Sequence, residues 1–269
     1  MTHSYVHGYS AREVERLSDQ AGTLAHLIHH DSLFPPGSRI LEAGCGTGAQ
    51  TCILAHHNPS CEFISIDISH KSLAAAERRI KKAGLTNVTL HQADILTGYL
   101  PFGLFDHAVF CFVLEHLSDP KLAIQRVMKL VRPGGTITAI EGDHGSVCFH
   151  PESEKALMAI HCQVILQKRA GGDACIGRKL YPLFVSSGLS EVTVSPRQVY
   201  ADGSRPDLVS GFTEKTFIAM IQGVREQAIA AGLISADDFD EGIRELSRSA
   251  LIDGTFSYTF YKGWGIVPR

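Results

Sequence analysis

An apolar run that leads straight into three glycines at alternate positions, and from there into a helix pattern, leaves few folds open to a chain. Here that run is Ile40-Leu-Glu-Ala-Gly-Cys-Gly-Thr-Gly-Ala-Gln-Thr51. Without side chains at Gly44, Gly46 and Gly48 the backbone can turn left-handed, approach a ligand closely and present N–H groups at a helix N-terminus. Asp67 closes the next apolar run, Phe63-Ile-Ser-Ile-Asp67. It follows at about the twenty-residue spacing at which a carboxylate meets a ribose diol. The combination points to an adenine nucleoside. A dinucleotide fingerprint spaces its glycines G-x-G-x-x-G, whereas this loop is G-x-G-x-G, which points away from NAD.

Short apolar runs alternating with helical patterns carry this start through the first half of the chain, the signature of βαβ units around a parallel sheet. The expected strands are Arg39–Ala43, Glu62–Ile66, Val88–Gln92, Asp106–Phe110 and Thr136–Glu141. Helices are expected at Thr51–His57, His70–Ala83 and Pro120–Val131, the last stopped by Arg132-Pro-Gly-Gly135. Ahead of them, helical spacing over Ala11–His30 gives an N-terminal arm that ends at Pro35-Pro36-Gly37. Beyond Asp143 the rhythm changes. Helices are expected at Pro151–Lys168, Tyr181–Ser187, Thr213–Ala231 and Asp237–Ala250, and strands at Glu191–Tyr200 and the aromatic-rich Thr255–Trp264. These last two strands are expected to pair antiparallel at one sheet edge.

Glu42-Ala-Gly-Cys-Gly-Thr-Gly48, Asp67, Ala93-Asp94 and Leu130-Val-Arg-Pro-Gly-Gly135 together resemble class I S-adenosylmethionine-dependent methyltransferases, over about residues 39–143. The resemblance implies a doubly wound, Rossmann-like α/β fold: a seven-stranded sheet, mostly parallel with an antiparallel C-terminal edge, plus helical cap insertions. It implies one methyltransferase domain over 1–269, with a helical arm or lid (1–38) and a cofactor-binding core (39–143). Cap insertions (144–180 and 204–252) and C-terminal strands (191–200 and 255–264) complete it. It implies S-adenosylmethionine as cofactor and S-adenosylhomocysteine as product. Glu42 would help place the methionine ammonium, and the backbone of Gly44, Gly46 and Gly48 would cradle the methionine part. Asp67 would take both ribose hydroxyls, and Ala93-Asp94, with Ile68 and Ile95 as apolar walls, would hold adenine. Phe110 and Phe112 would line the methionine side, with His116 nearby. Outside the core, Tyr5-Val-His-Gly-Tyr9, Glu141-Gly-Asp-His-Gly-Ser146 and Phe260-Tyr-Lys-Gly-Trp-Gly265 resemble a subgroup of small-molecule methyltransferases that includes bacterial C-methyltransferases of indole-alkaloid pathways.

Candidates for acid–base work cluster after the fifth strand. His144 sits where open α/β sheets place substrates, and imidazole accepts a proton near neutral pH; the alternative is a loop histidine bonded to backbone. Alternation puts Glu141 and Asp143 on one side of the strand end, where either serves as base, bonds the cofactor or caps a helix. His116 reads as a ligand contact or as a solvated residue at a helix start. Tyr5 and Tyr9 read as a lid over the cofactor, with Arg12 or Arg16 fixing its carboxylate, or as hydrophobic anchors of a frayed terminus. His26 and His30 have an i, i+4 spacing, yet no third ligand can be nominated, so no metal is expected. The aromatics of Phe256–Trp264 read as a buried edge strand first and an acceptor-stacking wall second.

Composition narrows the partners. A formal charge of −3 with dispersed basic residues shows no footprint for nucleic acid or an anionic membrane. No Asp/Asn-Pro-Pro-Tyr/Phe-type motif follows the fourth strand, where the chain reads Cys111-Phe-Val-Leu-Glu115, which disfavours amino-directed base methylation. Seven cysteines without a C-x-x-C pair, a polar N-terminus and no long apolar run make a cytoplasmic protein the expectation. The partner expected is a small-molecule methyl acceptor, with a homo-oligomer left open. Methylation of a protein or nucleic acid, and cofactor binding without catalysis, stand as rivals. Neither the acceptor nor the atom methylated can be read from the sequence.

Overall fold

The computed structural model describes residues 11–98 and 100–269, so the Tyr5 and Tyr9 readings fall outside the described residues. Helix α1 covers Ala11–His29, and strands β1 (Arg39–Ala43), β2 (Glu62–Asp67), β3 (Val88–Gln92) and β4 (Phe105–Cys111) follow within a residue of their expected bounds. Between them run α2 (Ala49–His57) and α3 (His70–Lys82), and after β4 comes α4 (Pro120–Met128). Local chemistry fixes the helix ends. The Ser69 hydroxyl caps α3 by accepting the Ser72 N–H, and the Asp119 carboxylate caps α4 by accepting the Leu122 N–H, with Pro120 in the first turn.

Strand β5 departs most from expectation, running Val131–His150 instead of stopping near the ends of Thr136–Glu141. At its start the Gly134 N–H donates to Val267 O at 2.8 Å, and the Val267 N–H donates to Gly135 O at 2.9 Å. Cross-strand bonds thus recruit the Pro-Gly-Gly turn into the sheet. Helices α5 (Glu154–Arg169) and α6 (Leu180–Ser187) precede β6 (Ser190–Asp202), and β7 (Thr255–Ile266) closes the chain. Seven strands lie in the order β3-β2-β1-β4-β5-β7-β6, with β1–β5 parallel and an antiparallel C-terminal edge. Consecutive strands step outward one way from β1 to β3 and the other way from β4. The carboxyl ends of β1 and β4 therefore flank a topological switch point, where open α/β sheets bind ligands.

The chain divides into two compact units. One takes residues 25–141, 176–197 and 261–269 and holds the parallel strands. Its core joins Leu41, Ile64, Ile66, Phe105, Phe110 and Ile137 to Ile124 and Val127 of α4 and Leu180 and Phe184 of α6. Each such side chain, fully buried, contributes about 1.5–3 kcal/mol.

The other unit takes residues up to Leu24, 142–175 and 198–260. There α5 packs on the helix Ala236–Ser247, and Gly242 lets the two approach: a Cβ would meet the Lys155 carbonyl. The expected helix Thr213–Ala231 is instead a π-helix over Val209–Ile218 followed by helices Ala219–Gly223 and Arg225–Ala230. The Thr216 hydroxyl donates to Gly211 O, five residues back, at 2.7 Å, which suits the wider turn. Phe256, Tyr258 and Phe260 alternate along β7 onto one buried face, and Phe212 and Phe217 pack against them at 4.8–6.0 Å between ring centres. Trp264 is exposed. Among the described residues no helix is long and apolar enough to cross a membrane, and no cluster of three or more His, Cys, Asp or Glu side chains could hold a metal.

Candidate active site

The glycine loop lies at the carboxyl end of β1. Its first two N–H groups, of Gly44 and Cys45, donate to Ile66 O of β2 at 2.8 and 2.9 Å. Gly44, Gly46 and Gly48 take φ of 82°, 52° and 76°, the left-handed region that glycine enters without strain. Gly48 caps α2 without any side-chain bond, leaving the first-turn N–H groups no side-chain acceptor at the cap. Around Gly46 there is open space: a Cβ there would meet nothing within 4 Å. Gly44 is closed in by a residue the sequence did not single out, since a Cβ on it would come within 2.6 Å of Val113 Cγ2.

Glu42 is 1% exposed and stands beside Ser65 in the parallel register of β1 and β2. The Ser65 hydroxyl donates to Glu42 Oε2 at 2.6 Å. Thr51 faces the same carboxyl, yet among the described residues Oε1 makes no hydrogen bond of good geometry. Burial pushes the carboxyl up to about 6 against the Ser65 and Thr51 hydroxyls, and the Asp67 charge adds to the rise. Among the described residues no cation pairs with this carboxyl. Ser65 was legible only as a polar residue inside an apolar strand.

Asp67, at the end of β2, ties the loop down. Its Oδ2 accepts the Gly46 N–H and its Oδ1 accepts the Ser69 N–H, both at 2.8 Å. Burial raises its pKa against those backbone bonds. Each oxygen keeps a second lone pair, so the carboxylate can still accept two hydroxyls. Ile68 beside it is 52% exposed, an apolar surface open to a ligand. The Ala93 N–H donates to Asp67 O at 3.0 Å, which sets Asp94 next to this end of the sheet. Asp94 accepts the Leu96 N–H at 2.8 Å, the Thr97 N–H at 3.4 Å and the Thr97 hydroxyl. Ile95 belongs to the hydrophobic core.

After β4 the sequence candidates part company. Phe110 is fully buried in the core. Phe112 is held at φ 57°, a conformation non-glycine residues rarely adopt, with its N–H bound to Ile140 O at 2.9 Å. Such local strain concentrates at functional sites. His116 Nε2 lies 3.6 Å from Glu115 Oε1. Glu141, fully buried, is engaged by the backbone that follows: Oε1 accepts the Val113 and Leu114 N–H groups at 3.0 and 2.8 Å, and Oε2 the Glu115 N–H at 3.4 Å. It caps the short turn of helix Leu114–His116. Burial holds its pKa well up, and the neighbouring Glu115 charge adds to that.

Within the same unit a second polar network was not foreseen. Lys262, 6% exposed, donates to Asp31 Oδ1 at 2.6 Å and to Ser32 Oγ at 2.8 Å, and Arg197 pairs with Asp31 Oδ2. Burial works to raise the Asp31 carboxyl, but these two cations outweigh it and hold it at about 2. His29 Nε2 lies 2.7 Å from Gln50 Oε1, in the first turn of α2, and burial lowers that histidine to about 4. His29 is thus a packed residue, and His30 turns its Nδ1 to His26 O.

Asp143 and His144 belong to the other unit. Asp143 is buried, with Oδ1 accepting the Gly145 N–H at 3.0 Å. The His144 N–H donates to Ala174 O at 3.0 Å, and its Nδ1 lies 2.9 Å from the Tyr258 hydroxyl.

Comparison with known proteins agrees with this geometry. The family model described as "Methyltransferase domain" matches residues 35–188. An uncharacterized transposon-borne protein of Streptomyces fradiae is 31% identical over 75% of this chain and 55% of its own. An uncharacterized methyltransferase of Schizosaccharomyces pombe is 28% identical over 53% of each chain. The chain thus spans about half the length of these two curated relatives. Among solved structures, Haemonchus contortus phosphoethanolamine N-methyltransferase 2, in complex with S-adenosylhomocysteine, superposes with a TM-score of 0.58 at 17% identity, over 92% of this chain and 52% of that one. At such identity the likeness is one of fold.

Proposed function

The chain belongs to the methyltransferase-domain family, of the class I S-adenosylmethionine-dependent kind, and from that premise we propose that it methylates a small-molecule acceptor and releases S-adenosylhomocysteine. The observation that carries the reading is the buried Glu42 carboxyl at the glycine loop, pushed up to about 6, with an oxygen that has no hydrogen bond of good geometry among the described residues. The ammonium of a methionine moiety supplies the missing cation. The uncapped start of α2 suits its carboxylate, and open space at Gly46 admits its backbone-like part. Asp67 accepts the ribose hydroxyls with its remaining lone pairs, Ile68 covers one face of adenine, and Asp94 reads its edge. Phe112 lines the methionine side, with His116 near it.

S-adenosylmethionine, when bound, supplies a methyl group already activated on a sulfonium, so the protein's own work is alignment in a dry pocket, worth about 7–11 kcal/mol at best. Glu141 serves as a cap. An acceptor that is a small molecule agrees with the net charge of −3, which offers polyanions nothing.

The test is incubation of the protein with methyl-labelled S-adenosylmethionine and a cell extract split by size. Label in the small-molecule fraction is expected. Label only in protein or nucleic acid would replace this acceptor class, and no labelled product in either fraction would favour a non-catalytic cofactor binder.

A further inference from the structure

We propose that Gln50 is a binding residue for the carboxylate of the cofactor's methionine part, and that Lys262, Ser32 and His29 are positioning residues that orient its amide. The proposal rests on the methyltransferase reading. It adds how the site recognises the acid end of its ligand as well as the ammonium.

Three observations carry it, all within the unit that holds the glycine loop. First, a continuous chain of bonds leads from a buried cation to the first turn of α2. Lys262 Nζ lies 2.8 Å from Ser32 Oγ, Ser32 Oγ lies 3.1 Å from His29 Nδ1, and His29 Nε2 lies 2.7 Å from Gln50 Oε1. Lys262, Ser32 and His29 are all buried, so water competes little along the chain. Second, every bond in it has one direction. Lys262, paired with Asp31 at 2.6 Å, is an ammonium and only donates, so Ser32 Oγ accepts from it and passes its own hydrogen to His29 Nδ1. His29, held down to about 4 by burial, is neutral near pH 7, so its single hydrogen lies on Nε2. Only the carbonyl end of an amide can accept that hydrogen, which turns Oε1 of Gln50 to His29 and fixes the amide.

Third, the chain leaves a donor at a place that draws an anion. Among the described residues the bond to His29 is the one hydrogen bond of the Gln50 side chain, so both amide hydrogens stay available. Gln50 is the second residue of α2, whose start has neither a capping side chain nor an acidic residue in its first turn. Thr47, in the loop just ahead, is buried, and its hydroxyl also has no hydrogen-bond partner among the described residues. Thr51, next to Gln50, faces Glu42, so one helical turn carries both the amide and a contact to the carboxyl that takes the ammonium. A neutral amide binds the acid end without setting a second cation beside that ammonium. Because the relay holds the amide in advance, the ligand meets little ordering cost there.

The experiment is calorimetric titration of the full-length protein near pH 7.5 with two compounds. One is S-adenosylhomocysteine; the other is its decarboxylated analogue, an aminopropyl thioether of adenosine that keeps the nucleoside and the ammonium. Wild type is expected to prefer the first. Gln50→Glu keeps an acceptor for His29 but replaces the donor with a negative charge. Its affinity for S-adenosylhomocysteine should fall at least about tenfold, with the analogue bound as well as before or better. A wild type without preference, or a variant that loses both compounds equally or neither, would overturn the role of Gln50. Should Gln50→Glu not fold, Gln50→Met, which keeps the length without either polar atom, is read by the same difference. Long-range 1H–15N correlation NMR of wild type tests the relay: His29 should carry its hydrogen on Nε2, and a hydrogen on Nδ1 would overturn the amide's orientation. No binding of S-adenosylhomocysteine by wild type overturns the methyltransferase reading itself, whereas binding that both Gln50 variants leave untouched overturns Gln50 alone.

Discussion

Two fully buried glutamates close two strands of the same sheet, and they do opposite things. Glu141, at the end of β5's first stretch, is met by three backbone N–H groups. Glu42, at the end of β1, is met among the described residues by one hydroxyl of good geometry, which leaves its other oxygen without such a bond. Both have raised pKa values, and burial is the largest cause in each. Burial and a shifted pKa therefore do not mark a ligand site by themselves. What marks it is the hydrogen-bonding capacity the protein leaves open, beside a loop whose own geometry also leaves space.

The comparison can be broken most forcefully at Glu141. Glu141→Ala strips a buried cap of its acceptor, and a loss of about 3 kcal/mol in urea-unfolding stability is expected. At Glu42 the sign reverses. Its folded pKa of about 6 lies above the ordinary 4.5, so the folded state holds its proton more tightly. Stability is then full below about pH 4.5 and is lost as pH rises to about 6, by about 2 kcal/mol. Glu42→Gln removes that loss: the unliganded variant should unfold at higher urea than wild type at pH 7.5, while binding S-adenosylhomocysteine more weakly. A destabilised Glu42→Gln would make the two glutamates alike and end the contrast. A smaller effect is expected in the loop. Gly46→Ala meets no protein atom, so only its φ of 52° opposes it, at about 1 kcal/mol of stability, whereas ligand affinity should fall more than tenfold. Equal affinity in that variant would mean the open space is not where the ligand lies.

Much of the cofactor half was legible because its signals are local. Strand β1, the glycines and α2 form one continuous stretch of sequence, and Asp67 ends an apolar run. The partners that give those residues their character are not local. Ser65 reaches Glu42 through strand register, Val113 closes over Gly44 from the turn that follows β4, and Lys262 meets Asp31 across most of the chain. No periodicity encodes such meetings. The second unit was harder still. The length of β5 depends on hydrogen bonds from β7, and Asp143-His144-Gly145 carries no apolar alternation to announce a strand. The π-helix at Val209–Ile218 shows ordinary helical composition, and its wider turn rests on packing, Thr23 against Gly211 among it.

The claim on which the rest depends is that Glu42 awaits the ammonium of an amino-acid-bearing nucleoside. Calorimetric titration with S-adenosylhomocysteine from pH 5 to 7.5, in wild type and Glu42→Gln, tests it. In wild type the affinity should rise about tenfold per pH unit up to about 6 and then level off, as the carboxylate needed by the cation forms; in Glu42→Gln it should be weaker and flat, and NAD should bind neither. A wild-type affinity indifferent to pH, or a preference for NAD, would contradict it.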